Sequence, residues 1–313
     1  MSRFVEQSHE IIYGPGFLFN GSDEYTAEAL YKIIEASGRT CYKSRAGNDP
    51  RKFTQALINN NHTSVLEHAP LFYKKNNFFN SYQYSVMNLR KALELNVFKD
   101  LDELESIIGI DMSWDDFLKK CPLGDQLMSV RFITDRAIAN TLVRHRNMSF
   151  SQESTMYCNY TNDKKFESGI GFILPSAISM NTKEDEVSEF KNFCNNCETK
   201  YFEMIKNGYK AEMARAVLPL CTKTELVMTG PVKDWIWVFM CRAFDMTGRD
   251  HPDIKHLIRP LVVKCINIWI SKYKFKDKIQ DLIKYWCNLK NLDSSIFWKR
   301  YYEYISNMNS DNI

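Results

Sequence analysis

The sequence lacks an apolar run long enough to cross a membrane and carries little excess charge. The best candidate, residues 257–270, is interrupted by Arg259, Lys264 and Asn267. The net charge of the 313 residues is only +3, whereas nucleic-acid-binding proteins present strongly basic surfaces. The first residues also lack the apolar core of a signal peptide. We therefore expect a soluble protein of the cytoplasm, or of the host cytoplasm if viral, that binds neither membranes nor nucleic acid.

Known metal-binding and disulfide patterns are also missing. The nine cysteines include a single CxxC pair, Cys194 and Cys197, whereas a zinc ribbon requires two such pairs. His62 and His68 do not have the spacing of the helical zinc proteases in either direction. Because the sequence has no signal peptide, we expect free thiols rather than a disulfide framework, and no bound metal ion.

A compact group of cationic residues stands at the end of a largely apolar segment. Arg144, His145 and Arg146 follow residues 137–143, and Ser154 lies beyond a gap of seven residues. Such a group beside a core requires an anionic partner, because an unpaired buried charge is costly. Arginine presents a planar fork of donors that matches phosphate and carboxylate, and the serine-rich segment adds hydroxyl and backbone donors. The pattern predicts a pocket for one or two phosphorylated ligands.

The same residues resemble the signature of the flavin-dependent thymidylate synthases, an Arg-His-Arg triplet followed after seven residues by serine. Three further segments resemble that family in the same order, namely residues 37–44, 62–69 and 214–229. Together the similar regions cover roughly residues 36–73 and 129–260. Each segment alone is a weak signal, but their common order makes the resemblance specific.

The resemblance implies an activity, a set of cofactors and an assembly. The family reaction is the reductive methylation of deoxyuridine monophosphate (dUMP) to deoxythymidine monophosphate (dTMP) by a methyltransferase that binds FAD. Methylenetetrahydrofolate donates the carbon and NADPH is the reductant, so the cofactors carry the chemistry while the protein contributes binding and orientation. The implied assembly is a homotetramer whose sites combine residues of several subunits.

The resemblance also assigns roles to individual side chains. Arg242 and Ser154 are the expected catalytic residues: Arg242 favours the ionised form of the base, and Ser154 binds the nucleotide rather than attacking it. The expected cofactor-binding residues are Cys41, His62, Ser64, Arg144, His145, Arg146, Asn147, Gln152 and Lys233. The expected substrate-binding residues are Thr141, Arg144, Gln152, Glu153, Ser154, Thr155, Met156, Arg215 and Arg242.

Several positions depart from the family pattern. Met156 stands where an arginine usually follows the signature serine, which removes a charge-assisted contact to the nucleotide. Thr141 replaces a glutamine or glutamate, Pro231 replaces an asparagine that contacts flavin, and Trp237 replaces a polar residue. These departures fall on the nucleotide and flavin contacts, while the signature triplet itself is intact.

Alternatives to dUMP methylation therefore stay open. The same flavin and folate chemistry could act on another pyrimidine nucleotide, by methylation or hydroxymethylation of dCMP, or the protein could bind these ligands without turnover. Arg249 or Lys233 could supply the missing charge. If neither residue has a functional role, Arg242 is a solvated side chain and Cys41 is a packed thiol.

Apolar spacing and turn residues predict an α+β chain with a mixed antiparallel sheet. Strands are predicted at residues 4–13, 71–79, 127–133 and 224–229, with a short strand within 148–160. Helices are predicted at residues 26–36, 50–60, 81–96, 101–108, 114–120, 135–144, 187–207, 211–217, 232–244 and 252–270. Gly38 is expected to end the first helix, Gly230 and Pro231 to break the chain after the last strand, and Pro260 to kink the last of these helices.

We interpret residues 1–313 as one domain with a flavin-dependent thymidylate synthase-like fold. Residues 76–126 are expected to form a helical insertion, and residues 271–313 a helical C-terminal extension. The aromatic-rich segment 232–244 is more apolar than a solvent-facing helix should be, so we expect it to lie between subunits.

Overall fold

The chain combines short strands with helices along its described length. The computed structural model describes residues 3–17, 25–44, 47, 49–76, 82–108, 120–161, 169–181 and 183–310. Its strands are β1 (Arg3–Phe4), β2 (Ser8–Tyr13), β3 (Pro70–Asn76), β4 (Tyr82–Asn88), β5 (Leu127–Asp135), β6 (Ser149–Gln152), β7 (Gly171–Phe172) and β8 (Lys223–Pro231). Its helices are α1 (Ala27–Tyr42), α2 (Pro50–Asn59), α3 (Leu89–Glu94), α4 (Leu101–Ile108), α5 (Arg136–Leu142), α6 (Ser176–Asn181), α7 (Glu184–Lys206), α8 (Ala211–Ala214), α9 (Val232–Arg242), α10 (Pro252–Ser271), α11 (Lys276–Lys290) and α12 (Ser294–Ser310). Short 3-10 helices span Thr63–His68, Leu123–Asp125 and Arg215–Val217.

A four-stranded antiparallel sheet in the order β2-β5-β8-β6 is the frame of the fold. β5 pairs with β8 along its whole length, from Leu127 opposite Pro231 to Asp135 opposite Lys223. β6 pairs with the other side of β8, so that Gln152 lies opposite Leu226. The strands β1 and β7 form a separate parallel pair, and β3 and β4 a separate antiparallel hairpin. The predicted α+β class is confirmed, although the predicted strand at 4–13 is two strands.

The helix α9 lies in the core of its own chain. Trp235, Phe239 and Met240 are fully buried there, and they belong to one apolar cluster with Trp269 of α10 and Phe297 of α12. Burial of each such side chain stabilises the fold by roughly 1.5–3 kcal/mol. The expectation that this helix owes its apolar character to a subunit interface is therefore wrong, because the apolar residues are used within one subunit.

Two glycines that were expected to end elements lie within them. α1 continues past Gly38 to Tyr42. The glycine leaves room for Phe53 and Val65, since a Cβ at position 38 would lie 3.0 Å from ring carbons of Phe53. β8 likewise continues through Gly230, where a Cβ would overlap the sulfur of Met148. These glycines permit close packing rather than chain reversal.

The segment expected to be a helical insertion is partly a strand. Residues 82–88 form β4, which pairs with β3 from Asn76 opposite Tyr82 to Pro70 opposite Asn88, and the helix begins only at Leu89. The predicted helix at 101–108 is confirmed as α4. The predicted helix at 114–120 lies outside the described residues except for Lys120.

The C-terminal half is helical, as expected. α10 runs through Pro260 as one helix, and the extension contains α11 and α12. None of the helices within the described ranges is long and apolar enough to cross a membrane. The division into a domain, an insertion and an extension stays a prediction.

Candidate functional site

The Arg-His-Arg triplet lies in a turn after α5. Asp135 caps this helix, since its carboxylate accepts a hydrogen bond from the backbone N of Ile138 at 2.7 Å. The helix ends at Leu142, so the prediction that it carries the triplet to residue 144 is wrong by one half-turn. Arg144 and Arg146 are exposed, and neither forms an ion pair with a carboxylate in the described part of the chain. Both guanidinium groups are therefore open to an anionic ligand.

Arg242, the last residue of α9, reaches the middle of the triplet. Its Nε donates a hydrogen bond to Nε2 of His145 at 3.0 Å, and its Nη1 donates to Oδ2 of Asp250 at 2.8 Å. Burial, together with the positive charge of Arg242, lowers the pKa of His145 to about 4. His145 is consequently neutral near pH 7, which suits an acceptor of the Arg242 hydrogen bond.

The segment around Ser154 is attached to the end of α1. The backbone N of Ser154 donates to the carbonyl of Cys41 at 3.0 Å, and the backbone N of Met156 donates to Oγ of Ser154 at 3.3 Å. Nη1 of Arg215 lies 3.5 Å from Oγ1 of Thr155. Three parts of the chain that are far apart in sequence, Cys41, residues 153–158 and Arg215, thus meet at one turn, which we call the Ser154 turn (residues 153–158).

A buried group of charges supports this turn. Glu153 is 1% exposed, and its carboxylate accepts hydrogen bonds from Tyr160 at 2.9 Å and from Lys223 at 3.0 Å. Lys223 also contacts Glu225 at 2.8 Å, and Lys43 forms an ion pair with Glu225 as well. Burial raises the pKa of Glu225, but the two lysines outweigh that effect and hold it at about 2. Glu225 is therefore ionised near pH 7.

A cavity of about 510 Å³ lies beside the triplet. Its wall includes Asn147, Gly230, Pro231 and Lys233, of which Asn147 and Lys233 are expected cofactor-binding residues. The opposite wall includes Met87 of β4. A volume of this order is typical of small-molecule sites. The contribution of the hairpin to the wall could not be predicted, because residues 82–88 were expected to be helical.

The remaining expected site residues lie on the elements around these contacts. His62 and Ser64 are exposed at the start of the 3-10 helix Thr63–His68. Gln152 bonds to Oγ1 of Thr224 at 3.3 Å, and Oγ1 of Thr141 donates to the carbonyl of Ala137 at 3.2 Å. The structure shows no direct hydrogen bond from these four side chains to the triplet within the described residues.

The buried end of that 3-10 helix is tied to the sheet. Nδ1 of His68 lies 2.7 Å from Oγ1 of Thr229, and Nε2 lies 2.9 Å from Oγ of Ser151. Burial lowers the pKa of His68 to about 3, so the ring is neutral and acts as one donor and one acceptor. This contact fixes the 62–68 segment against β6 and β8.

Sequence reasoning missed two charged residues at the site. Asp250 holds Arg242, and its only signal was the unusual length of the segment between Arg242 and His251. Nη1 of Arg136 donates to the carbonyl of Glu153 at 3.4 Å, a contact that no spacing in the sequence indicates. Both residues act through tertiary contacts, which a motif search does not reveal.

Two cysteines belong to the surroundings of the Ser154 turn, since Sγ of Cys158 lies 3.7 Å from the carbonyl oxygen of Cys41. All nine cysteines are free, and Sγ of Cys194 lies 3.8 Å from Sγ of Cys221. The described residues contain no group of three or more His, Cys, Asp or Glu side chains that could hold a metal ion.

The chain is similar to known proteins in this region. Residues 124–267 match the model of the family described as thymidylate synthase complementing protein. The flavin-dependent thymidylate synthase of Synechocystis sp. is 29% identical over 142 residues, which are 44% of this chain and 66% of that protein. The enzyme of the same name from Corynebacterium efficiens is 24% identical over 290 residues, which are 85% of this chain and 86% of that protein.

Other matches are partial or distant. The flavin-dependent thymidylate synthase of Geobacter sulfurreducens is 32% identical over 108 residues, which are 34% of this chain and 44% of that protein. The chain thus spans less than two thirds of the Synechocystis and Geobacter proteins. Among solved structures, a UMP/dUMP methylase from Streptomyces cacaoi matches with a TM-score of 0.43 and 15% identity over 88% of this chain and 97% of that chain.

Proposed function

We propose that the chain is a member of the flavin-dependent thymidylate synthase family and converts dUMP to dTMP by FAD-dependent reductive methylation, on the basis of its similarity to those enzymes. Methylenetetrahydrofolate is the carbon donor and NADPH the reductant in this proposal. The observation that carries it is the hydrogen bond from Arg242 to His145, at 3.0 Å. This contact brings the expected catalytic cation to the signature triplet from a helix almost a hundred residues away in sequence.

The residues present fit a flavin cofactor. Arg144 and Arg146 offer two guanidinium groups without a carboxylate partner in the described part of the chain, and Asn147, which follows them in sequence, lines the cavity of about 510 Å³. This combination supports binding of a pyrophosphate next to an aromatic ring system. Asn147 and Lys233 add an amide and an ammonium group to the cavity wall. The bound flavin would supply hydride, and the protein would hold and orient the reactants.

Arg242 is suited to stabilise negative charge on the pyrimidine. Arginine is a cationic donor with five N–H groups, and Asp250 and His145 fix two of those of Arg242. The remaining N–H groups can donate to a carbonyl oxygen of the base. Such a preoriented donor favours the ionised, more nucleophilic base, because no reorganisation is required as the charge develops.

The Ser154 turn is the proposed nucleotide site. It combines Oγ of Ser154, the hydroxyl of Thr155 and the guanidinium of Arg215, all donors suited to a phosphate. Met156 is 42% exposed and cannot donate from its side chain. That substitution favours a second candidate, in which the same chemistry acts on another pyrimidine nucleotide such as dCMP.

A homotetramer in the cytoplasm is part of the same proposal. The support from surface properties lies near Arg215, where Met213 is 55% and Leu220 61% exposed. Exposed apolar side chains next to a ligand site are typical of a subunit contact. Light scattering of the purified protein should give the mass of four chains; an active monomer would exclude a site shared between subunits.

Product analysis tests the proposed reaction. The purified protein, supplied with FAD, NADPH and methylenetetrahydrofolate, is incubated separately with dUMP, dCMP and UMP, and the products are identified by mass. We expect dTMP from dUMP, and dTMP formation that is slower by about a hundredfold or more in the Arg242→Gln variant. The Arg131→Gln variant is the control, since Arg131 pairs with Glu10 at the surface of the sheet. Formation of a methylated or hydroxymethylated cytosine nucleotide instead would establish the second candidate.

A further inference from the structure

Arg136 joins the two segments that make up the proposed nucleotide site. Its backbone N donates to the carbonyls of Leu220, at 3.0 Å, and Thr222, at 3.2 Å, in the loop that follows Arg215. Its side chain donates to the carbonyl of Glu153, at 3.4 Å, in the Ser154 turn. The guanidinium of Arg136 therefore lies where the Arg215 loop meets the Ser154 turn.

Two arginines at this junction lack a carboxylate partner among the described residues. Lys43 and Lys223 balance Glu153 and Glu225, with which they form ion pairs. Two cations remain, Arg136 and Arg215, and neither forms an ion pair with a carboxylate in the described part of the chain. The neighbouring Asp135 is engaged as the cap of α5. A phosphate monoester carries a charge of about −1.5 to −2 near pH 7, so it could serve as an anionic partner for both arginines.

The side chain of Arg136 is also free to change partner. Among the described residues, the guanidinium forms one hydrogen bond, which is long, at 3.4 Å, and uses a single N–H of Nη1. Arginine has five N–H donors in a planar fork, so most of this group's capacity is available to a ligand. Arg136 is partly buried, and a contact to phosphate would be less screened there than at the surface.

We propose, on the basis of the proposed function, that Arg136 binds the 5′-phosphate of the pyrimidine nucleotide together with Arg215. It thereby supplies the cation that is missing at Met156. The two residues suggested by the sequence are less suited. Nζ of Lys233 lies 3.7 Å from Oδ1 of Asp125, and Lys233 lines the cavity together with Asn147. Arg249 directly precedes Asp250, whose carboxylate binds Arg242.

Binding of dUMP and of deoxyuridine distinguishes a phosphate contact from a general effect. Dissociation constants of both ligands are measured by titration calorimetry on the FAD-loaded native protein and on Arg136→Gln and Arg136→Lys, with Arg131→Gln as the matched control. We expect Arg136→Gln to weaken dUMP binding by about tenfold or more and deoxyuridine binding by less than about twofold, because one charge-assisted contact is lost only with the phosphate. Arg136→Lys should retain part of the dUMP affinity, and the control should bind both ligands normally.

Each outcome decides the assignment. Unchanged dUMP affinity in Arg136→Gln, or an equal loss for both ligands, overturns it. If the Gln variant does not fold, judged by its melting temperature and flavin content, Arg136→Lys decides: a preferential loss of dUMP supports the assignment, and either an equal loss or none overturns it. A native protein that binds no pyrimidine monophosphate removes the proposed function itself, and the phosphate site with it.

Discussion

Nε of Arg242 donates a hydrogen bond to Nε2 of His145 at 3.0 Å, so the last residue of α9 is bonded to the middle residue of the signature triplet. The geometry requires a neutral imidazole, because two cations would repel each other at this distance. The low pKa of His145, about 4, satisfies that requirement.

Replacement of Arg242 by Gln should reduce kcat more than it raises the KM for dUMP. Removal of one preoriented donor to a developing negative charge typically costs about 10²–10³ in kcat. Steady-state kinetics with FAD-loaded protein measures both constants. Asp250→Asn should give a smaller loss of kcat, since it leaves the guanidinium in place but loosens it; a pure KM effect in both variants would place Arg242 outside the reacting centre.

The stability of the protein should fall between pH 7 and pH 5 because of His145. Its folded pKa of about 4 is below its unfolded value of 6.5, so the unfolded chain takes up a proton in this range and the folded chain does not. The stabilising difference is fully present above pH 6.5 and is lost as the pH falls towards about 4. Each such histidine contributes a decrease of about 2 kcal/mol at pH 5.

Urea unfolding of the native protein and of His145→Gln at pH 7, 6 and 5 measures this effect. The variant should lose about 2 kcal/mol less than the native protein over this range. Glu225 does not interfere, because its pKa of about 2 lies below its usual 4.5 and its loss begins only at lower pH. Identical pH dependence in the two proteins would show that His145 is solvated in the folded state.

Replacement of Glu153 by Gln should destabilise the chain by about 3 kcal/mol, because Lys223 loses a buried partner. The double variant Glu153→Leu with Lys223→Met should recover part of this loss, since it removes both charges. Lys200→Met is the control: its ion pair with Glu203 is exposed, so a change of less than about 1 kcal/mol is expected. The midpoints of urea unfolding, compared at constant slope, measure the stability of all three variants. If Glu153→Gln leaves the free energy of unfolding unchanged, water reaches this carboxylate in the folded protein.

Replacement of Arg146 by Ala should weaken FAD binding by about tenfold or more, because an anionic group of the cofactor loses a charge-assisted partner. Absorbance titration of the flavin measures the dissociation constant. Arg131→Ala, which removes a partly exposed guanidinium that pairs with Glu10, should bind FAD normally. An unchanged flavin affinity in Arg146→Ala would remove this residue from the cofactor site.

Replacement of Met156 by Arg should tighten dUMP binding by about tenfold, since it restores a cation next to Ser154. Calorimetry with dUMP and with dCMP compares the two nucleotides in the native and variant proteins. If the variant loses activity while the native protein converts dCMP, then Met156 marks a changed substrate site and dUMP is not the substrate.

The sequence predicted those parts of the structure whose residues carry local signals. β5 and α4 follow from apolar spacing, and the bounds of α4 at Leu101 and Ile108 agree with the prediction. The strand β4 was mistaken for a helix, because its pairing with β3 is a tertiary contact that outweighs the local pattern. Gly38 was mistaken for a helix end, because its role depends on Phe53 of another helix.

The candidate site rests on the resemblance to the family. The spacing of the triplet and Ser154 carries that resemblance, and Arg242 was assigned from its matching position. The balance of charge at Glu153, Lys223 and Lys43 could not be predicted, since it depends on which strands lie side by side. The roles of the individual ligand-binding residues stay predictions that the variants above test.

The helix α9 is buried on nearly all sides, so the backbone that carries Arg242 is held rigidly. The direction of each side chain is fixed by the rotation of its helix about the helix axis. A small rotation of α9 would therefore move the guanidinium of Arg242 away from His145. Enlarging or truncating Phe239 or Trp235, which no ligand contacts in this proposal, should therefore alter the aim of Arg242 as well as the melting temperature. Substitutions that repack this core to raise the melting temperature would therefore also change the position of Arg242 in the proposed site.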